Sequence, residues 1–477
     1  MTRNWIDWQD LSAKNKSLDE SESRTIRESQ SKSINSCRFL AKCCNQFFRV
    51  VKNKIMQTAT DRPLRICLLS YRSNPHSGGQ GVYIKNLSRA LVDLGHSVAV
   101  VSGPPNPYVD DDIHVHRLFS LDLYDPQNPF RMPSLKELLH PFNLMEWLGV
   151  STMGFPEPFI FGIRAYLYLK QNAHRYDIVH DNQSLSYGVW AIKKLLPTIA
   201  TIHHPITVDR NLAIRDVSTA WRKMKQLRWY SFVGMQKRVA RTLPCLITVS
   251  KSARSDISRE FKIPLRRFRI APNGIDTEHF HPMPSIEREK NRIIVTNSAD
   301  TPLKGLYYLL HAIAQISHSK PVRLIVVGQP KKNGSIEKLV RKLGIENRIT
   351  FTGRIEVAEF VRQYARASVA VIPSVYEGFG LPAGEAMACA VPVISTSGGA
   401  LPEVVGDAGI LVPPADTASL VRAVSFILDN PEKANHLGQA GYQRVRRHFT
   451  WERAACLTLK AYTEVMFDHH RFSAPRN

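Results

Sequence analysis

Short apolar runs recur along the chain from residue 63 onward, and each ends in polar or glycine-containing residues. "PLRICLLS" (63–70), "HSVAVVSG" (96–103), "YDIVHDNQ" (176–183), "TIATIHHP" (198–205) and "CLITVS" (245–250) have the length and apolarity of buried strands. Stretches with helical spacing separate them, such as "GVYIKNLSRALVDLG" (81–95). Near-continuous apolarity means that both faces of each strand are covered. Strands of this kind alternating with helices predict a parallel sheet between two helical layers.

The pattern pauses at "APNGIDTEHFHPMPSIEREKN" (271–291), which has the proline, glycine and charge content of a linker. It then restarts with "RIIVTNS", "VRLIVVGQ", "RITFTGR", "VAVIPS", "PVISTS" and "GILVPP", separated by helices such as "LKGLYYLLHAIAQI". The fold class expected is α/β, with two Rossmann-like domains over 63–285 and 286–447. Residues 448–477 form a final helix and tail, with the helix expected to pack back on the first domain. Ligands of open parallel sheets bind beyond the carboxyl ends of the strands. Two such domains facing each other would therefore line a cleft with those ends.

Residues 1–62 depart from this pattern, being polar and serine-rich, and are expected to be largely disordered. Their exception is "CRFLAKCCNQFFRVVKNKIM" (37–56), apolar and basic with no acidic residue. It fits a helix lying on an anionic membrane surface as well as one docked on the protein itself.

Composition narrows the class. A chain of 477 residues, 43% of them hydrophobic, exceeds one ordinary core and is globular. No run approaches the ~18–20 apolar residues of a membrane span, and the N-terminal stretch has no signal core. Seven cysteines, none in C-x2-C spacing, fit a reducing compartment, so a cytoplasmic location is expected. The formal charge of +23 favours anionic partners. Much of it sits in 210–241, where Asp216 is the only acid. There Arg222, Lys223, Lys225, Arg228, Lys237, Arg238 and Arg241 accompany Trp221, Trp229 and Tyr230. An anionic bilayer, met peripherally at its inner face, and a solvated helix over core aromatics both fit. No nucleic-acid motif is present, so that partner is disfavoured. "YVDDDIHVH" (108–116) has the form of a turn before a strand, and no metal is expected there.

The candidate chemistry sits at strand ends. After the first strand, Gly78, Gly79 and Gly81 open a helix whose free N–H groups suit phosphate. The spacing is not G-x-G-x-x-G and no acid ends the second strand, which disfavours a nicotinamide site. In "VTNSADTPLKGL", Lys304 precedes Gly305 at a helix start, placed to offset charge on a leaving phosphate. "VIPSVYEGFGLPAGEA" supplies Glu377, the Gly378–Gly380 turn and a helix from about Leu381. The N–H groups of Phe379, Gly380 and Leu381 would point at an anion. Glu385, one turn into the helix, could accept hydrogen bonds from a diol. "ISTSGGALPEVVGDAGILVPP" adds Gly398-Gly399 and Glu403.

Together the E-x7-E pair Glu377/Glu385, "GGALPEV", "LKG", "PNGID" and "GGQGVY" resemble the family-4 retaining glycosyltransferases of the GT-B fold, over about residues 63 to 450. The resemblance implies that Glu385 holds the ribose of a nucleoside diphosphate sugar, UDP- or GDP-linked, and Glu377 the sugar hydroxyls. Lys304 would neutralise the diphosphate, with backbone amides at Gly78–Gly79 and Gly378–Leu381. His203 matches the family histidine near the transferred sugar, with His204 as the alternative register, and Arg354 would lie near the base. The acceptor would be a glycan or a lipid-linked glycan, reached by a front-face mechanism without metal or other cofactor. The family arginine near the "KG" segment is missing, since Ser298, Ala299 and Asp300 occupy that region. That departure keeps open a catalytically weak nucleotide- or lipid-binding protein; an epimerase on the same fold is the other alternative.

Overall fold

The computed structural model describes residues 62–473 apart from 74–78, 126–127, 129–130, 216 and 297–300. The segment 37–56, Gly78 and Ser298 thus lie outside the described residues.

Among the described residues, thirteen strands form two parallel sheets. The first contains β1 (Arg65–Ser70), β2 (Ser97–Ser102), β3 (His114–Arg117), β4 (Ile178–Asn182), β5 (Thr198–Ile202), β6 (Leu246–Thr248) and β7 (Phe268–Ile270), in the order β3-β2-β1-β4-β5-β6-β7. The second contains β8 (Arg292–Thr296), β9 (Arg323–Val327), β10 (Ile349–Phe351), β11 (Val369–Ile372), β12 (Val393–Thr396) and β13 (Ile410–Val412), ordered β10-β9-β8-β11-β12-β13. Both are doubly wound, with strand order reversing between β1 and β4 and between β8 and β11. Those reversals open the crevices in which such sheets bind ligands.

Each strand feeds two cores because its residues alternate in direction. In the first half Cys67, Leu69, Val101 and Val179 point to one side. Ile66, Leu68, Val100 and Ile178 point to the other. The second side is covered by Tyr83, Leu87 and Leu91 of helix Gly79–Asp93 and by Ala461, Tyr462 and Val465 of helix Trp451–Ser473. That last helix is tied to the sheet interior by Tyr462, whose hydroxyl meets Nδ1 of buried His180 at 2.7 Å. In the second half Ile293, Val295, Leu324 and Val371 pack on Leu309, Leu310 and Ile313 of helix Leu306–Ser317. Ile294, Ala370 and Val393 pack on Ala383, Ala386 and Met387 of helix Leu381–Ala388. No described helix is long and apolar enough to cross a membrane.

Candidate active site

Two turns at the β8/β11 reversal converge on one carboxylate. Glu377 lies in the turn between β11 and helix Leu381–Ala388. Its Oε1 accepts from Lys304 Nζ at 2.7 Å and from Ser374 Oγ at 2.8 Å. Lys304 closes the short 3-10 turn Pro302–Lys304 after β8. The turns are joined by the Val375 N–H, which donates to the Leu303 carbonyl at 2.7 Å. Gly305 makes that approach feasible: its φ is +68°, and a Cβ there would lie 1.9 Å from the Pro373 carbonyl oxygen. Gly380, at φ +101°, turns the chain into the helix. The N–H groups of Gly378, Phe379, Gly380 and Leu381 donate to no described acceptor. Free donors and the positive end of a helix, beside a lysine, make a seat for an anion.

Glu385 lies on the second turn of the same helix. Its carboxylate accepts no hydrogen bond from a described residue, whereas its neighbours are satisfied. Tyr364 bonds Thr296 Oγ1 at 3.0 Å, and Asp276 accepts from His279 Nδ1 at 2.8 Å. Burial, with Asp276 adding like charge, pushes Glu385 up to about 7. A partly buried carboxylate without donors is destabilised until a ligand supplies them.

The first half faces this cluster. A Cβ on Gly378 would be 2.6 Å from the His203 carbonyl oxygen, and one on Gly79 would meet Leu381 Cδ1 at 4.0 Å. His203 follows β5, its ring edge-on to Tyr83 with centroids 4.7 Å apart. Asn182 donates from Nδ2 to the Gln80 carbonyl at 3.4 Å, so its Oδ1 accepts from Nε2–H of His203 at 2.8 Å. That leaves Nδ1 of His203 as an acceptor. Desolvation, then His204 and His180, pushes His203 down to about 3, so its ring is neutral at physiological pH. Gln183, held at φ +58°, accepts the His203 N–H at 2.7 Å and donates to the His204 carbonyl at 3.3 Å. His204 turns away to Asp209, 2.8 Å from its Nε2.

Three contacts clamp the halves beside the cluster. Ser250 Oγ donates to the Gly378 carbonyl at 2.9 Å, and Tyr376 OH donates to Asp256 Oδ2 at 2.9 Å. Glu403 accepts from the N–H groups of Lys251 (2.8 Å) and Ser252 (2.7 Å). One half thereby caps helix Lys251–Phe261 of the other, carboxylate against helix N-terminus. Glu403→Ala is expected to cost about 2–3 kcal/mol, the scale of two hydrogen bonds to one ionised group. Calorimetry should record a lower Tm, and small-angle scattering a larger radius of gyration. Unchanged values of both would mean that the clamp does not hold the halves together.

The structure thus brings Lys304, Glu377, Gly378–Leu381, His203 and Gly79 to one cleft, with Glu385 on the same helix. Arg354 makes no contact with that cluster among the hydrogen bonds and ion pairs of the described residues. It stands exposed after edge strand β10. Asn182, Gln183, Ser250 and Asp256 belong to no motif of the sequence; the polar ending of "YDIVHDNQ" is the signal for the first two.

Comparison with known proteins agrees with this architecture. Residues 77–279 match the family model "Glycosyltransferase Family 4", and residues 280–444 match "Glycosyl transferases group 1". The chain is 43% identical to an MMP α-(1→4)-mannosyltransferase of Mycolicibacterium hassiacum, over 84% of this chain and 98% of that protein. It is 27% identical to a D-inositol 3-phosphate glycosyltransferase of Streptomyces bingchenggensis, over 86% of this chain and 91% of that protein. Among solved structures, sucrose-phosphate synthase of Thermosynechococcus elongatus superposes with a TM-score of 0.64 at 25% identity, covering 85% of this chain and all 100% of that one. Anabaena HepE, solved with UDP and glucose, gives 0.60 at 18% identity over 82% of this chain and 97% of that one. Two facing doubly wound sheets, both family models and a relative matched over nearly its full length place this chain in the GT-B glycosyltransferases of family 4 and group 1.

Proposed function

We propose that the chain transfers a hexose, with retention of anomeric configuration, from a UDP- or GDP-linked sugar to a hydroxyl of a glycan or lipid-linked acceptor. The relative's mannosyltransferase activity makes mannose the sugar to test first. The observation that carries the reading is the Lys304–Glu377 pair beside the free N–H groups of Gly378–Leu381.

In this reading the diphosphate occupies the anion seat and Lys304 moves from Glu377 to a phosphate oxygen. The anomeric carbon–oxygen bond to the diphosphate breaks while the acceptor oxygen bonds to that carbon on the same face. The acceptor proton passes to the departing phosphate oxygen. Charge develops on the leaving group, where Lys304 and the amides stabilise it, as expected of a dissociative, oxocarbenium-like transition state. Glu377, relieved of Lys304, accepts from sugar hydroxyls, and neutral His203 offers Nδ1 to another. Glu385 takes the ribose diol. The diphosphate charge is met by protein groups, so the reaction needs no metal.

The test is incubation with GDP- and UDP-hexoses and a manno-oligosaccharide acceptor, with the product's anomeric configuration read by NMR. Retained configuration and a rate unchanged by EDTA are expected. An inverted product would overturn the mechanism. Release of free nucleoside diphosphate without acceptor would favour the epimerase reading, and no turnover of any donor would favour a binding protein.

A further inference from the structure

Two neighbouring helices of the first half present apolar side chains to solvent. Helix Pro141–Ser151 is inside out: it buries Asn143 and Glu146, while Leu144, Met145 and Leu148 are 39%, 43% and 47% exposed. The inversion has a local cause. Buried Arg164 draws in both polar residues, with Nη2 2.5 Å from Asn143 Oδ1 and 3.5 Å from Glu146 Oε2. Ser120 Oγ holds the other Glu146 oxygen at 2.6 Å. Once the polar face is turned inward, the apolar face has only the outside left.

Helix Ala220–Trp229 buries no residue at all. Trp221, Met224 and Leu227, spaced three apart on one face, are 59%, 52% and 54% exposed. Between them stand Arg222, Lys223 and Lys225, Arg228 follows Leu227, and the helix has no acid. The two helices meet end to end. Arg228 Nη2 donates to Thr152 Oγ1 at 2.8 Å, and that hydroxyl donates to the Leu148 carbonyl at 2.8 Å. Trp229 packs on Phe155 with centroids 5.1 Å apart. Phe155 in turn lies 6.5 Å from Tyr71, which follows β1 at the strand end facing the cleft.

We propose that these two helices form one docking face for an anionic bilayer surface. Exposed apolar side chains in a contiguous patch mark an interaction surface. Those of helix Ala220–Trp229 are interleaved with cations, which suits insertion at the headgroup boundary with lysine and arginine on phosphates. Charge complementarity selects the occupant. In a two-fold dimer the same patch would meet itself and set four cations against four. Lipid headgroups supply the opposite sign. Docking rests on this surface alone; its consequence, that the acceptor hydroxyl is presented at the membrane, rests on the transferase reading above.

The test uses the full chain and sedimentation with vesicles of phosphatidylcholine, with or without phosphatidylglycerol. Binding is expected only with phosphatidylglycerol, declining as salt rises because the attraction is screened. The triple variant Arg222→Glu, Lys223→Glu, Lys225→Glu should weaken it at least tenfold, on the order expected for reversing three interfacial charges. The pair Leu144→Ser, Leu148→Ser should weaken it without changing the salt dependence. Nucleoside diphosphate affinity, measured in parallel, should be unchanged in both variants, so a failed docking face is distinguishable from a failed donor site. Equal binding to both vesicle types, binding unaltered in both variants, no binding by the natural chain, or concentration-dependent dimers abolished by the triple variant would each overturn the proposal.

Discussion

Replacing Lys304 with alanine is expected to lower kcat by about 100-fold or more, the loss typical of one strong electrostatic donor aimed at developing charge. The donor KM should change less. Nζ is held by Glu377 at 2.7 Å, with the lysine 33% and the glutamate 12% exposed. The lysine's exposure to solvent screens the pair and keeps its contribution to folding modest, ~1 kcal/mol, so the variant should remain folded. Glu377 also keeps the Ser374 hydroxyl. Arginine should not restore the rate, because a planar guanidinium cannot follow Nζ between carboxylate and phosphate at the Gly305 turn. Single-turnover kinetics on a nucleotide sugar measure the effect. A variant with full kcat and only a raised KM would show that Lys304 binds ground state and transition state alike.

The two sheets were legible because their central strands are continuous apolar runs. All six strands of the second half coincide with such runs, and so do β1, β2, β4, β5 and β6. The edge strands of the first half were harder to see. β7 is three residues, "FRI", with an arginine in the middle, and β3 is "HVHR", anticipated only as a strand after the "VDDDI" turn. An edge strand has one paired side and less to bury, so its residues carry less pattern. The donor side of the site was legible because Lys304, Glu377 and Glu385 belong to local turns whose glycines stand in sequence. The opposite side depends on long-range partners. Asn182 fixes the His203 tautomer from a neighbouring strand, and Glu403 finds its use on a helix 151 and 152 residues away. Helix Pro141–Ser151 misleads in the same way, since Arg164 decides which of its faces goes inside.

Glu385→Gln should separate stability from binding, raising the first and lowering the second. Burial and Asp276 move the Glu385 carboxyl from 4.5 to about 7, so the folded chain holds this proton more tightly than the unfolded one. The sign follows: stability is lost as pH rises from the ordinary glutamate range through about 7 and stays lost above it. The cost at pH 8 is on the order of 3 kcal/mol, which glutamine does not incur. Without ligand, the variant should therefore melt about 2–4 °C higher than the natural chain at pH 8 and at the same temperature at pH 4. Nucleotide affinity should move the other way. The ribose diol donates to the ionised carboxylate, so nucleoside diphosphate binding to the natural chain should strengthen as pH rises through 7, with proton release on binding below that pH. The variant should bind about 10- to 100-fold more weakly at pH 8, the scale of a hydrogen bond to a charged group, and without that pH dependence. Glu377→Ala should spare nucleoside diphosphate binding, because in the proposed arrangement Glu377 touches only the sugar. Titration calorimetry in two buffers of different ionisation enthalpy reads both affinity and proton release. An Glu385→Gln protein that melts lower at pH 8, or equal loss of nucleotide affinity in the Glu377 and Glu385 variants, would remove the ribose assignment.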